Sequence, residues 1–154
     1  MKKCDLHIHT VPTILDADFV FSLDVLKGYV EKMGLDVIAI TNHNLFDMGN
    51  YMLIRDTLAP NIVVLPGIEV NLEGGHILVI SDCGDAELFY FNNRCHEVTN
   101  RIIEATDSIS LAEFVSIFSD LSKYLLIPHY DKSPQLPKPI ISALEEFVVA
   151  GEVT

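Results

Sequence analysis

Tryptophan is absent from this chain, cysteine occurs three times, and basic residues are scarce: 10 lysines and arginines stand against 22 aspartates and glutamates, for a formal charge of −12. Each shortage excludes something. Without a basic stripe, a broad surface for nucleic acid or anionic lipid is excluded, because phosphate groups are held by clustered cations. A local cationic spot supplied by bound metal is not excluded. Cys4, Cys83 and Cys95 are odd in number and form no Cys-x-x-Cys pair, which fits a reducing, cytoplasmic setting rather than a disulfide framework. Cys95 beside His96 could be half of a zinc site, but no second pair lies near, and a plain helix position is the better reading. No apolar run approaches the roughly 18 residues of a membrane span; the longest, such as residues 62–65, are strand-sized, so no membrane partner is expected. Met1-Lys2-Lys3 could open a signal peptide, yet Asp5, His7 and His9 stand where its apolar segment belongs.

What is plentiful is apolar side chain, at 49% of 154 residues. That is enough for a sizeable core, and the length suits one domain. No internal repeat or low-complexity tract interrupts the chain. Residues 3–9 read as a first strand, with Leu6 and Ile8 alternating against Asp5, His7 and His9. Ser22 is placed to cap a helix over 23–33, with Asp24 in its first turn and Gly34 as its stop. Residues 36–41 form a buried strand, 48–58 a second helix, and 61–65 a third strand broken by Pro66-Gly67. Residues 68–72 continue extended, and Gly74-Gly75 turn the chain into a hairpin partner over 76–80. Helices are expected over 93–105 and over 111–122, the latter opened by a Ser110/Glu113 capping box. Residues 124–127 form the last strand. Pro134, Pro137 and Pro139 mark a loop, and a helix over 140–149 closes the order. Short apolar strands alternating with amphipathic helices imply a largely parallel α/β sheet or barrel, whose functional groups gather at the carboxyl ends of the strands.

The histidines answer to that expectation. Five of the six fall at strand ends: His7 and His9 on the first strand, His43 after the second, His76 past the hairpin turn, and His129 after the last; Glu69 ends the third. His7 and His9, two apart on a strand, share a face and can reach one ion, at about 2.0–2.1 Å for zinc. Taken singly, each has a plainer reading: His43 as a turn histidine bonded to backbone, Glu69 as a solvated strand residue, His76 as the start of a strand. Together they point to a metal centre on one rim.

The segments DLHIHT (5–10), ITNHN (40–44), GIEV (67–70), GGHILVI (74–80) and IPHY (127–130) resemble, in order and approximate spacing, the PHP (polymerase and histidinol phosphatase) domain, over Asp5 to about Asp131. The resemblance implies a distorted (β/α)7 TIM-like barrel holding up to three Zn, Mn or Fe ions for hydrolysis of phosphoesters by a metal-activated water. It implies His7, His9, His43, Glu69, His76 and His129 as ligands, with an acidic residue after the HxHT motif, Asp16 or its close competitor Asp18. The opening motifs look most like PHP domains at the start of larger proteins with an ATPase region.

Two departures stand out. Asn42 occupies the position of an aspartate in the family's Thr-Asp-His motif, which is expected to weaken support of the metal cluster. The family's final Asp-x-His pair is absent after His129. The barrel is thus expected to be cut short after about its first half to two-thirds, with residues 1–154 a single incomplete PHP domain and the protein a fragment of a longer one.

The implied function is metal-dependent phosphoesterase, acting on a phosphorylated small molecule or nucleotide. Nucleic acid is a partner only through regions outside this chain. Asp131 or Lys132 could orient a substrate phosphate, or be solvated loop charges. The alternative is a catalytically weak or inactive metal-binding module attached to an ATPase- or polymerase-type protein. Open strand edges and apolar faces predict self-association.

Overall fold

The computed structural model describes residues 1–153. Five strands form one sheet in the order β1-β2-β3-β4-β5: β1 (Cys4–Ile8), β2 (Val37–Ile40), β3 (Val63–Leu72), β4 (Gly75–Ser81) and β5 (Tyr124–Pro128). The first two pairings are parallel and the last two antiparallel. The sheet curls into a half-barrel, so the expected α/β class holds while only its first three strands are mutually parallel neighbours. Because β4 runs back, its start lies on the same rim as the ends of β1, β2, β3 and β5. His76 therefore joins the other histidines from the opposite strand direction.

The first two helices form where the local chemistry dictates. In α1 (Leu23–Met33) the Ser22 hydroxyl accepts from the Val25 amide, Asp24 sits in the first turn, and Gly34 takes the left-handed φ of 61° that ends the helix. Asp47 caps α2 (Met48–Leu58) by accepting from the Asn50 amide at 2.8 Å. The Ser110/Glu113 capping box opens α4 (Leu111–Phe118), which stops short of 122 because Ser119 turns to φ 30°.

Three other elements depart from the expected bounds. Pro66-Gly67 does not split β3; the strand continues and changes partner there, residues 63–66 pairing with β2 and 67–72 with β4. Helix α3 spans Asp85–Thr99 rather than 93–105. Its inward residues Leu88, Phe91, Cys95 and Val98 repeat at helical spacing, whereas the Asp107 carboxylate accepts from the amides of Ile103 and Glu104 and folds 103–107 into a turn. Within α3, Cys95 is buried and its neighbour His96 is exposed, as a plain helix position requires. The last helix, α5, covers only Lys138–Ala143. Val148 leaves the helical path to bridge Leu126 of β5, and Val149 donates to the Leu126 carbonyl. Sheet pairing outcompetes helix there.

All the helices pack on one face of the sheet. Leu26, Val30, Ile54, Phe91, Cys95, Phe114 and Phe118 meet Ile38, Ile40, Ile68, Val70, Ile77, Val79 and Leu126 in the main core. The other face carries a separate apolar cluster, Ala39, Leu78, Ile80 and Ile127 with Leu6, Leu65 and Leu125. Side chains two apart on a strand share a face. The inner apolar residues therefore lead directly to the chemistry: Ala39 to His43, Leu65 to Glu69, Leu78 to His76, and Ile127 to His129.

Candidate metal centre

Backbone pairing beyond the strand ends holds the histidines in place. His43 bridges Glu69 in parallel fashion, with the Asn44 amide donating to the Glu69 carbonyl at 2.7 Å and the Glu69 amide to the Asn42 carbonyl at 3.0 Å. The His129 amide donates to the His76 carbonyl at 3.0 Å. On β1, the register shifts between Asp5 and Ile8, where His7 lies. Asn42, buried, clasps the turn that follows: its Oδ1 accepts from the amides of Thr10 at 2.6 Å and Val11 at 3.1 Å. Asn42 thus serves as an acceptor toward backbone, and its Nδ2 is buried without a hydrogen-bond partner.

At the centre, Glu69 is wholly buried and touched by five imidazoles. Its Oε2 lies 3.0 Å from His7 Nε2, 2.9 Å from His9 Nε2 and 2.9 Å from His43 Nδ1. Its Oε1 lies 2.7 Å from His76 Nδ1 and 3.1 Å from His129 Nε2. Burial by itself raises the Glu69 carboxyl; the surrounding imidazoles outweigh it and hold the group far below the usual carboxylate range. Burial likewise opposes the charged form of His7, and the carboxylates of Glu69 and Glu152 overcome it, raising His7 above its ordinary value.

This donor set is richer than its protons can satisfy. His7 Nε2 and His9 Nε2 face each other at 3.0 Å, and only one of a facing pair of imidazole nitrogens can donate to the other. His43 Nδ1 and His129 Nε2 lie within ion-pair reach of carboxylates, yet neither makes an aligned hydrogen bond, and His129 Nδ1 is also buried and unpartnered. Buried nitrogens are normally bonded. Nitrogens and carboxylate oxygens converging without bonds to absorb them are what a cation would organise. Two groups have the spacing to hold an ion, His7 with Glu69 and His129, and His9 with His43 and Glu69, so Glu69 is common to both. The imidazole and carboxylate chemistry fits a divalent transition metal.

Among the residues read from sequence, His7, His9, His43, Glu69, His76 and His129 meet in this cluster. Asp16 reaches its edge, with Oδ2 at 3.2 Å from His9 Nδ1, while its other oxygen accepts from the Thr13 amide at 2.8 Å. Burial raises the Asp16 carboxyl, but its bonds to Thr13 and His9 prevail and lower it. The competitor Asp18 lies exposed. Lys132 lines the same cleft of about 580 Å3, whose far wall is built by Asn71, Thr106, Asp107 and Ser108.

One residue was not foreseen. Glu152 places its two oxygens 2.9 Å from His7 Nδ1, with Oε2 also 3.1 Å from His129 Nε2 and Oε1 2.8 Å from Lys132 Nζ. It arrives there because residues after Val148 run beside β5, with the amides of Tyr130 and Asp131 donating to the Glu152 carbonyl. Burial raises its carboxyl, and Lys132 and His7 reverse that shift and lower it. No local motif marks Glu152; the only signal in the sequence is a carboxylate within a short apolar segment.

Neither a family model nor a curated protein sequence matches the chain. Solved structures do. A protein from Bifidobacterium adolescentis, inferred to be a metal-dependent phosphoesterase, superposes with a TM-score of 0.58 at 11% identity, over 98% of this chain and 77% of that one. A two-domain protein from Bacteroides vulgatus, containing an inferred PHP-like metal-dependent phosphoesterase, superposes with a TM-score of 0.60 at 18% identity, over 97% of this chain and 43% of that one. The chain thus shares the fold of PHP-like metal-dependent phosphoesterases, and spans less than half the length of the two-domain protein.

Proposed function

We propose that this chain carries the metal centre of a PHP-type phosphoesterase, which hydrolyses a phosphate mono- or diester of a small metabolite or nucleotide. The observation that carries the reading is the single buried carboxylate of Glu69 met by five imidazoles. His7, His9, His43, Glu69, His76 and His129 would hold Zn, Mn or Fe ions, and Asp16 fixes the ring of His9. Bound ions of this kind lower the pKa of a coordinated water and offset charge on phosphoryl oxygens.

The chain's own groups do the rest. Glu69, held ionised, supplies negative charge to both ion-holding groups. Glu152 accepts from the Nδ1 hydrogen of His7 in the tautomer that leaves Nε2 free for an ion, and Asp16 does the same for His9. Leu78 and Ile127, two residues from His76 and His129 on the same sheet face, set apolar side chains beside the site. The strongly acidic surface favours a small substrate over a nucleic-acid strand.

A second reading, a catalytically weak metal-binding module of a larger ATPase- or polymerase-type protein, draws support from one feature: Asn42, where the resembled motif carries an aspartate, leaves its Nδ2 buried without a hydrogen-bond partner. Both readings require bound metal, and activity separates them. Protein purified without a histidine tag or chelator should carry about one or more equivalents of Zn, Mn or Fe by plasma mass spectrometry, and lose it in His7→Ala/His9→Ala. Loaded protein should then release phosphate in a panel of phosphomonoesters and diesters. Absence of metal after soaking in Zn and Mn would sink both readings; metal without turnover would leave the module.

A further inference from the structure

We infer that Lys132 is the phosphate-binding side chain of this cleft and that Glu152 keeps it in reserve. The inference rests on the phosphoesterase reading and goes beyond it by assigning the group that recognises the substrate anion. Lys132 is the one lysine or arginine lining the cleft among the described residues. Its Nζ is drawn to one side, 2.8 Å from Glu152 Oε1 and 3.0 Å from His7 Nδ1.

The pairing is a compromise. A His7 ring that offers Nε2 to an ion carries its hydrogen on Nδ1, and that hydrogen belongs to Glu152. The ammonium of Lys132 then faces an N–H it cannot donate to, and shares Glu152 with His7. An ammonium so placed gains by moving to a phosphate, which offers several acceptors and full charge.

The backbone permits that exchange without rearrangement. The loop carrying Lys132 is pinned on both sides, by the Asp131 amide on the Glu152 carbonyl at 3.1 Å and by the Leu136 amide on the His129 carbonyl at 2.9 Å. The Lys132 side chain itself remains about one-third exposed, at 32%. A fixed Cα with a flexible four-carbon stem can reach from Glu152 to the cleft. Charge matching also narrows the ligand. Beyond whatever charge bound ions supply, one ammonium in a cleft otherwise walled by Glu69 and Asp107 suits one terminal phosphate.

The test is calorimetric titration of inorganic phosphate into stoichiometrically Mn-loaded protein, with metal content measured in parallel. Lys132→Met should weaken phosphate binding about 10–100-fold, as loss of a charge-assisted hydrogen bond does, with metal content unchanged. Lys132→Arg should keep most of the affinity. Glu152→Gln, whose amide oxygen can still accept from the His7 ring while the lysine is released, should bind phosphate at least as tightly as the parent protein at equal bound metal. If the Lys132–Glu152 pair is only a structural tie, Lys132→Met and Glu152→Gln will weaken phosphate binding together, and the inference fails. It also fails if Lys132→Met binds phosphate like the parent. Should Lys132→Met lose its metal, the Glu152→Gln result decides, weaker phosphate binding overturning the inference. If the loaded parent protein binds no phosphate at all, the phosphoesterase reading itself falls.

Discussion

At the scale of the residue, the site is organised by competition between protons and metal for the same nitrogens. In the metal-free protein His7 holds its proton against burial because Glu69 and Glu152 flank it. A raised histidine stabilises the fold fully below its unfolded value, near 6.5, and loses that contribution as pH rises through the raised folded value. Metal needs the opposite state, a neutral imidazole. The two forms should therefore respond to pH in opposite senses. Raising the pH through the His7 transition should lower the melting temperature of metal-free protein slightly and tighten metal binding. Titrations of Mn in buffers of differing ionisation enthalpy should show proton release on binding that diminishes at higher pH. Metal affinity that does not change with pH would mean that His7 is not a ligand.

At the scale of the element, two glycines allow the rim to assemble. A Cβ at Gly67, where β3 changes partner, would press on Thr41 Cγ2 at 2.8 Å and on the Ile40 carbonyl oxygen at 3.1 Å. At Gly75 it would collide with the backbone of Gln135 and Leu136, in the loop that also carries Lys132. Close packing of that loop on the start of β4 is possible only without a side chain. Gly75→Ala should cost about 1–3 kcal/mol by overpacking, read as a lowered denaturation midpoint. It should also reduce metal content, because His76 and His129 flank the displaced segment. Retention of full metal content alongside the loss of stability would show that the loop and the cluster are independent.

Legibility differed between elements for a physical reason. Helix α1 announced itself through Ser22, Asp24 and Gly34, and α4 through its capping box, since caps are local chemistry. The end of α5 did not. Residues 144–149 have a helical pattern, but Val148 and Val149 find backbone partners on Leu126 of β5, and only the folded sheet offers them. The continuity of β3 through Pro66 was hidden similarly. A proline without an amide is tolerated there because the strand exchanges neighbours at that point.

At the scale of the whole molecule, the half-barrel has one face covered and one face only partly so. Helices bury the outer face, whereas the inner cluster around Leu78 and Ile127 has part-exposed margins at Leu6, Leu65 and Leu125. Beside it, β1 pairs with β2 along one side only. Large apolar side chains, among them Val20, Phe89, Tyr90 and Ile103, also stand exposed. Exposed strand edges and contiguous apolar surface favour association. Light scattering at micromolar concentration should therefore show dimers or larger species; a monodisperse monomer would refute this. No helix among the described residues is long and apolar enough to cross a membrane.

The sequence by itself determined the parts of the site that follow from local periodicity. Alternation along a strand put His7 with His9, and the strand pattern set His43, His76 and His129 near strand ends, which share a rim. Glu69, read as the end of the third strand, instead lies within β3, which runs on to Leu72 because β4 pairs with it there. The choice of Asp16 over Asp18 depended on the path of the loop, which Thr13 fixes by hydrogen bonding to Asp16. Glu152, and with it the pairing of Lys132, depended on a contact 145 residues away in the chain from His7. Contacts of that kind exist only once β5 has recruited the segment beside it. Periodicity is a property of neighbouring residues and can be read in one dimension. The meeting of Glu152 with His7 is decided by which strand edge lies open, and that is a property of the sheet.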